Sequence, residues 1–155
     1  MRRIAAATAM ILAVSAGDIA AAGESKRPRP LVIAAGGDRV RATLGSYCVT
    51  HGNSGECADA LYPLRVHGRL EVRPGGRIEL RTHDRGVAEV KVEGLRVHGR
   101  DIERGDWAFA VAGDHISRRI RVRLPDELDG INRLDVSLRY QGSGDADYWA
   151  RIAAR

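Results

Sequence analysis

Lysine is nearly missing from this chain, with Lys26 and Lys91 set against 23 arginines. Aromatic residues are scarce too: one Phe, two Trp and four Tyr. A folded core must therefore be largely aliphatic, and each tryptophan carries unusual weight. After residue 23 no stretch repeats apolar residues at the three-and-four spacing of an amphipathic helix, which excludes a helical bundle. No apolar run reaches the ~20 residues a membrane-spanning helix needs. No Gly-x-Ser-x-Gly occurs, and Ser46, Ser54, Ser117, Ser137 and Ser143 have no strand–turn–helix setting for a nucleophile. Cysteine is limited to Cys48 and Cys57.

What is present begins with export. Arg2 and Arg3 precede an apolar run from Ile4 to about Ser15, and small residues follow. That order is the layout of a secretory signal peptide over residues 1–22, with cleavage after Ala22 or, alternatively, after Ala16. Residues 23–30, including Glu24 to Pro30, are charged and proline-broken and read as a flexible linker. Residues 31–155 are enough for one modest core. The formal net charge is +5, of which Arg2, Arg3 and Asp18 supply +1, so the mature chain stays basic at +4. An exported domain is an implausible partner for nucleic acid. A skew to arginine beside so much Ala and Gly also fits GC-rich coding.

The remaining pattern is two-residue alternation. Leu31–Ile33, then Arg39–Leu44 after the Gly36-Gly37-Asp38 turn, read as strands. Leu70 and Val72, the turn Pro74-Gly75-Gly76, then Ile78 and Leu80 read as a hairpin, since proline fixes φ and glycine accepts the reversal. Val87–Val92 is a strand whose phase slips near Glu89 or Val90, as a bulge would cause. Leu95–His98 breaks at Gly99. Trp107, Phe109 and Val111 share one face. Ile120, Val122 and Leu124 point inward between outward Arg119, Arg121 and Arg123. Leu134–Tyr140 and Ala146–Ile152 make a closing hairpin. About seven to nine short strands at near-even spacing predict an all-β antiparallel sandwich. Its predicted core is Leu70, Val72, Ile78, Leu80, Trp107, Phe109, Ile120, Val122, Leu134, Val136, Leu138 and Trp149.

The stretch Ser46–Asp59, SYCVTHGNSGECAD, carries both cysteines in a polar, glycine-dotted loop. In an exported chain the simplest reading is a Cys48–Cys57 disulfide. Closing ten residues restricts the unfolded chain by about 2.7 kcal/mol in the loop-entropy description. The alternative is an envelope metal-binding protein using Cys48, His51 and Cys57, with Asp59 or His67 as a fourth ligand to zinc or cuprous copper. No second Cys-x-x-Cys or histidine pair supports it, so no metal and no cofactor is expected.

Tyr47-Cys48, Cys57-Ala58-Asp59, Pro63, the Leu70/Val72–Pro74-Gly75 segment and Gly144-Asp145-Ala146-Asp147-Tyr148-Trp149 together resemble a family of small bacterial secreted proteins. That family has a "GSYCW…CAD" loop near the front and a "GDASY" turn before the last strand. The resemblance runs from Gly45 to Ile152, with Val49 where the pattern has Trp and Asp147 where it has Ser. It implies an immunoglobulin-like β-sandwich and export. The family has no assigned activity, so it contributes no catalytic residue.

The hexapeptide LRVHGR occurs at 64–69 and again at 95–100, but its flanks differ, so coincidence explains it better than duplication. Asp145 and Asp147 lie in a turn and supply too few oxygens for calcium. The arginines at 119, 121 and 123, with Arg118 beside them, suit a solvated face that resists edge pairing. The sharper alternative is a face for anionic surface polymers, acidic glycans or lipid headgroups, although alternation alone explains the spacing.

The sequence thus predicts a monomeric, non-catalytic exported domain, periplasmic or extracellular. Its role is binding or structural, and its partner an anionic envelope polymer or another envelope protein. A small secreted hydrolase or inhibitor is the remaining alternative. The candidate binding residues are Tyr47, His51, Asp59, Arg119, Arg121 and Arg123. Thiol titration of the denatured, unreduced exported protein is expected to find no free thiol, and two free thiols would overturn the disulfide.

Overall fold

The computed structural model describes residues 27–51, 53–114, 116–142 and 144–155, and not the side chain of His51. The predicted secretory segment, its predicted cleavage site and residues 23–26 of the predicted linker lie outside these. Among the described residues eleven strands form two sheets. They are β1 (Val32–Ala35), β2 (Asp38–Arg41), β3 (Thr43–His51), β4 (Ser54–Ala58), β5 (Leu70–Val72), β6 (Arg77–Arg81), β7 (Val87–His98), β8 (Asp101–Ala112), β9 (Arg119–Arg123), β10 (Arg133–Tyr140) and β11 (Gly144–Ala154). The smaller sheet has the order β2-β1-β6-β9, and the larger β4-β3-β11-β10-β7-β8 with β5 added beside β11. All pairings are antiparallel except β5 with β11.

Alternation places one apolar face of each sheet against the other. Ile33, Ile78, Leu80, Ile120 and Val122 from the small sheet meet Val90, Val92, Val136, Leu138 and Tyr148 from the large one in a single buried cluster. The result is a β-sandwich with an aliphatic core, as the alternation predicts. One open end is closed by hydrogen bonds. Tyr148 donates to the Arg29 carbonyl at 2.7 Å, Tyr140 donates to Asp84 Oδ2 at 2.7 Å, and Arg29 N–H donates to both Asp84 oxygens at 3.1 and 3.2 Å. Burial pushes both phenols up, so both remain protonated donors. Residues 27–30, the end of the predicted linker, are therefore tied to the domain.

The structure differs from the sequence expectation in several places. Eleven strands replace seven to nine: the predicted strand 39–44 divides between β2 and β3, and the cysteine stretch adds β4. The predicted strand 39–44 breaks at Ala42, whose N–H donates to the Leu31 carbonyl, and the chain passes there from the small sheet to the large. Leu70/Val72 and Ile78/Leu80 do not form a hairpin. The Pro74-Gly75-Gly76 turn instead carries the chain between sheets, since β5 pairs with β11 and β6 with β1 and β9. Alternation reports which residues share a face, not which neighbour a strand takes. Leu95–His98 is the end of one long strand, β7, which reverses through Gly99 at φ +62°. The phase slip is a bulge at Ala88, opposite Arg139 and Tyr140.

Trp107 and Phe109 are only partly buried, because β8 is an edge strand. Trp149 is buried, but it stands apart from the main cluster on the outer face of the large sheet. The two LRVHGR copies have different conformations: 64–69 has no strand, whereas 95–98 closes β7. No structural repeat underlies them.

One glycine sets the approach of β11 to β3. Gly144 has φ +106°, and a Cβ there would sit 1.7 Å from the Cys48 carbonyl oxygen. Gly144→Ala is expected to cost about 2–4 kcal/mol, from left-handed strain plus a backbone clash. Gly142→Ala, at φ +69° with nothing within 4 Å, should cost only about 1 kcal/mol. Urea midpoints of the two variants check the contrast.

Candidate functional site: an arginine face and a covered patch

The outer face of the small sheet follows from parity. With Ile78 and Leu80 inward on β6, and Ile120 and Val122 inward on β9, the intervening residues must face out. Register places Arg77 opposite Arg123, Glu79 opposite Arg121 and Arg81 opposite Arg119. On the other side β1 contributes only Val32 and Ala34, and β2 adds Arg39 and Arg41 opposite them. Seven arginines and one glutamate thus occupy the outward positions of three strands of a four-stranded face about 14 Å across. This excess exceeds the chain's formal net charge of +5, so the remaining surface is close to neutral.

Glu79 holds the centre of this face. It accepts from Arg81 Nε and lies 3.9 Å from Arg121 Nε. Its carboxyl is held below the ordinary range, first by the Arg81 hydrogen bond and then by the charges of Arg81, Arg119 and Arg121. Arg123 meets Asp126 at 3.1 Å at the rim. Arg39, Arg41, Arg77 and Arg119 have no carboxylate within 4 Å among the described residues. On the outer face of the large sheet, by contrast, Lys91 pairs with Glu93 at 2.8 Å and Arg139 with Glu89 at 3.3 Å. Like charges directly opposite across strands cost a few tenths to about 1 kcal/mol each, and here two such pairs persist. At its β2 side the face turns into a cleft of 750 Å³ lined by Arg27, Arg39, Arg41 and His67 with Pro30 and Tyr148.

Arg119, Arg121 and Arg123 therefore sit where the sequence places them, together and exposed. The other candidates are elsewhere. Tyr47 is buried on the inner side of β3; its hydroxyl donates to Glu56 Oε1 and accepts from Arg27 Nε at 3.1 Å. Asp59 is exposed just past β4. His51 pairs through its backbone with Ser54. Cys48 and Cys57 are bonded as a disulfide between residues directly opposite on β3 and β4. The stretch predicted as a loop is thus a hairpin at the edge of the large sheet. With the sulfurs joined, the thiolates needed for the metal reading are gone.

The large sheet carries a second feature, which the alternation does not signal. Between β4 and β5 the segment 59–69 folds onto its outer face. It lands where β3 bulges: Gly45 and Ser46 together oppose Asp147. Ala60 N–H donates to Ser46 Oγ at 3.1 Å. A Cβ on Gly45 would lie 3.0 Å from Leu64 Cδ1 and 3.1 Å from the Tyr62 hydroxyl, so glycine permits the close seat. Tyr62 packs on Trp149 with ring centroids 5.1 Å apart. Beneath it lie three buried polar atoms with no hydrogen-bond partner: Trp149 Nε1, Asp135 Oδ1 and Arg133 Nε. Asp135 and Trp149 are cross-strand partners. Burial, then the charges of Asp147 and Glu93, pushes the Asp135 carboxyl up to about 7. Asp147 moves the same way, chiefly through burial, although Ser137 donates to it at 2.7 Å. One sequence signal for this patch existed: Tyr148, Trp149 and Ala150 are consecutive and all buried, which requires cover on both faces of β11.

Comparison with protein-family models, with curated proteins and with solved structures finds no match in any of the three.

Asp135 gives a pH dependence of known sign. Its folded-state affinity for a proton exceeds the unfolded one, so the native state binds more protons between about pH 4 and 7, and stability falls as pH rises through that window. Each tenfold change in affinity is worth about 1.4 kcal/mol, so the loss is on the order of 2–4 kcal/mol. Asp135→Asn is expected to flatten the decline and to raise the melting temperature at pH 8, measured by thermal denaturation across pH.

Proposed function

We propose that this protein is an exported, non-catalytic binding domain of the cell envelope or its surroundings, whose arginine face takes an anionic polymer. The observation that carries this reading is the gathering of seven arginines on β2, β6 and β9, two pairs of them directly opposed and Arg39, Arg41, Arg77 and Arg119 without a carboxylate within 4 Å among the described residues. Such an arrangement stores repulsion that counter-charge relieves, and guanidinium groups suit carboxylate, sulfate and phosphate through paired donors. The width of a four-stranded face favours an extended chain over a small ligand, and the cleft beside Arg39 and Arg41 continues its path. The disulfide supports an oxidising compartment. The family resemblance supports export and an immunoglobulin-like arrangement of the sandwich.

The test is retention on an immobilised acidic polysaccharide and on polyphosphate across a salt gradient. Wild type is expected to bind with steep salt dependence. Near an anionic surface each arginine is worth about 1 kcal/mol. The Arg119→Ser, Arg121→Ser, Arg123→Ser variant should therefore weaken binding roughly 100-fold at low salt. Because these residues are exposed, its circular dichroism should not change. Unchanged retention of the variant would reject the reading.

A further inference from the structure

A second ligand site is suggested on the opposite side of the molecule. The segment 61–65, the end of β7 and the start of β10 enclose a cleft of 750 Å³, a volume in the range of small-molecule sites. Its apolar wall is Leu61, Tyr62, Leu64 and Val97; its cations are Arg100 and Arg133, with Arg65 beside them. Among the described residues the exposed large hydrophobics are Leu61 at 94%, Tyr62 at 43% and Ile102 at 38%. All three gather here, since Ile102 is the cross-strand partner of Val97 and shares its face.

Both walls are fixed. Asn132 accepts from Val97 N–H and donates to the Val97 carbonyl, each at 3.0 Å. The facing segment is seated on Gly45 and Ser46 as described above. No carboxylate lines the cleft, and Arg65, Arg100 and Arg133 have no ion-pair partner among the described residues. Arg133 donates through Nη1 to the Asn132 carbonyl at 2.8 Å, while its Nε is a buried donor without an acceptor. The guanidinium, partly desolvated and lining the cleft, thus carries a charge that no carboxylate among the described residues compensates, and a ligand carboxylate would supply the charge-assisted hydrogen bonds it lacks.

We propose that this cleft binds a single-chain amphiphilic carboxylate, a fatty acid monomer, with its head on Arg133 and Arg100 and its alkyl chain along Leu61, Tyr62 and Val97. A neutral polar ligand would leave the cations uncompensated, and a polyanion would leave the leucine wall in water. Burying the chain and pairing the head satisfies both.

The probe is sodium laurate below its micellar concentration, titrated calorimetrically into the exported protein. The expected result is saturable binding of one laurate per chain, with Arg133→Gln weakening it at least tenfold. Dodecanol, equal in length and uncharged, should bind at least tenfold more weakly than laurate. Should Arg133→Gln fail to fold, the exposed Arg100→Gln and Leu61→Ser decide, each with an expected loss of about fivefold. The Arg119→Ser, Arg121→Ser, Arg123→Ser variant should bind laurate as wild type does, which separates this site from the arginine face. The proposal is overturned by unsaturable binding, by equal affinity for dodecanol, by indifference to the cleft substitutions, or by loss in the arginine-face variant. Sedimentation showing that Leu61 instead holds two copies of the chain together, with no laurate bound, would overturn it as well.

Discussion

Tyr148 is the side chain around which the sandwich closes. It is the largest of the fully buried residues, it stands on the central strand pair of the large sheet, and its hydroxyl reaches the Arg29 backbone. A phenol in an aliphatic core is tolerated only if its hydroxyl finds an acceptor. The acceptor here belongs to the segment that enters β1, so satisfying the phenol fixes the start of the domain. Asp84 completes the arrangement by receiving both Arg29 N–H and Tyr140, which ties the β6–β7 connection to the same end. With that end held, the inner faces of both sheets are committed to each other, and every remaining side chain must be accommodated outside.

The two outer faces resolve that demand in opposite ways. On the small sheet seven arginines around a single glutamate are spread over β2, β6 and β9 and left to solvent. On the large sheet charges of both signs interleave, Lys91 and Arg104 with Glu93, Arg139 with Glu89. There an irregular segment covers Trp149 and strands three polar atoms beneath it. Stability gains little from either arrangement: opposed arginines repel, and an unpaired buried donor costs about 1–3 kcal/mol. Features that oppose folding and persist are reasonable places to look for binding.

Much of this was legible in the residues. Ile120, Val122 and Leu124 between arginines define β9 and its wet face without ambiguity, and the β10–β11 hairpin reads directly from Leu134 to Ile152. Arg77, Arg81, Arg39 and Arg41 alternate just as clearly, but their meeting with Arg119 and Arg123 depends on which strands become neighbours, and parity is silent on that. For the same reason the crossings at Ala42 and at Pro74-Gly75-Gly76 look like a continuous strand and a hairpin. The segment 59–69 has no period at all, so its docking rests on one small residue, Gly45, at a bulge. Trp149 was assigned to the core correctly as to burial and wrongly as to face, since a neighbour of Tyr148 must point away from it.

The hairpin of β3 and β4 carries one last implication. β4 is short, mostly exposed, and lies at the outer boundary of the large sheet. Besides backbone pairing, the Glu56 contact and Ala58, which packs against the core, the bond between Cys48 and Cys57 holds it against β3. The protein therefore secures the margin of its main sheet with covalent chemistry as well as with packing. How readily that margin could pair with another chain then depends on the Cys48–Cys57 bond staying oxidised as much as on the amino acids that fill the core.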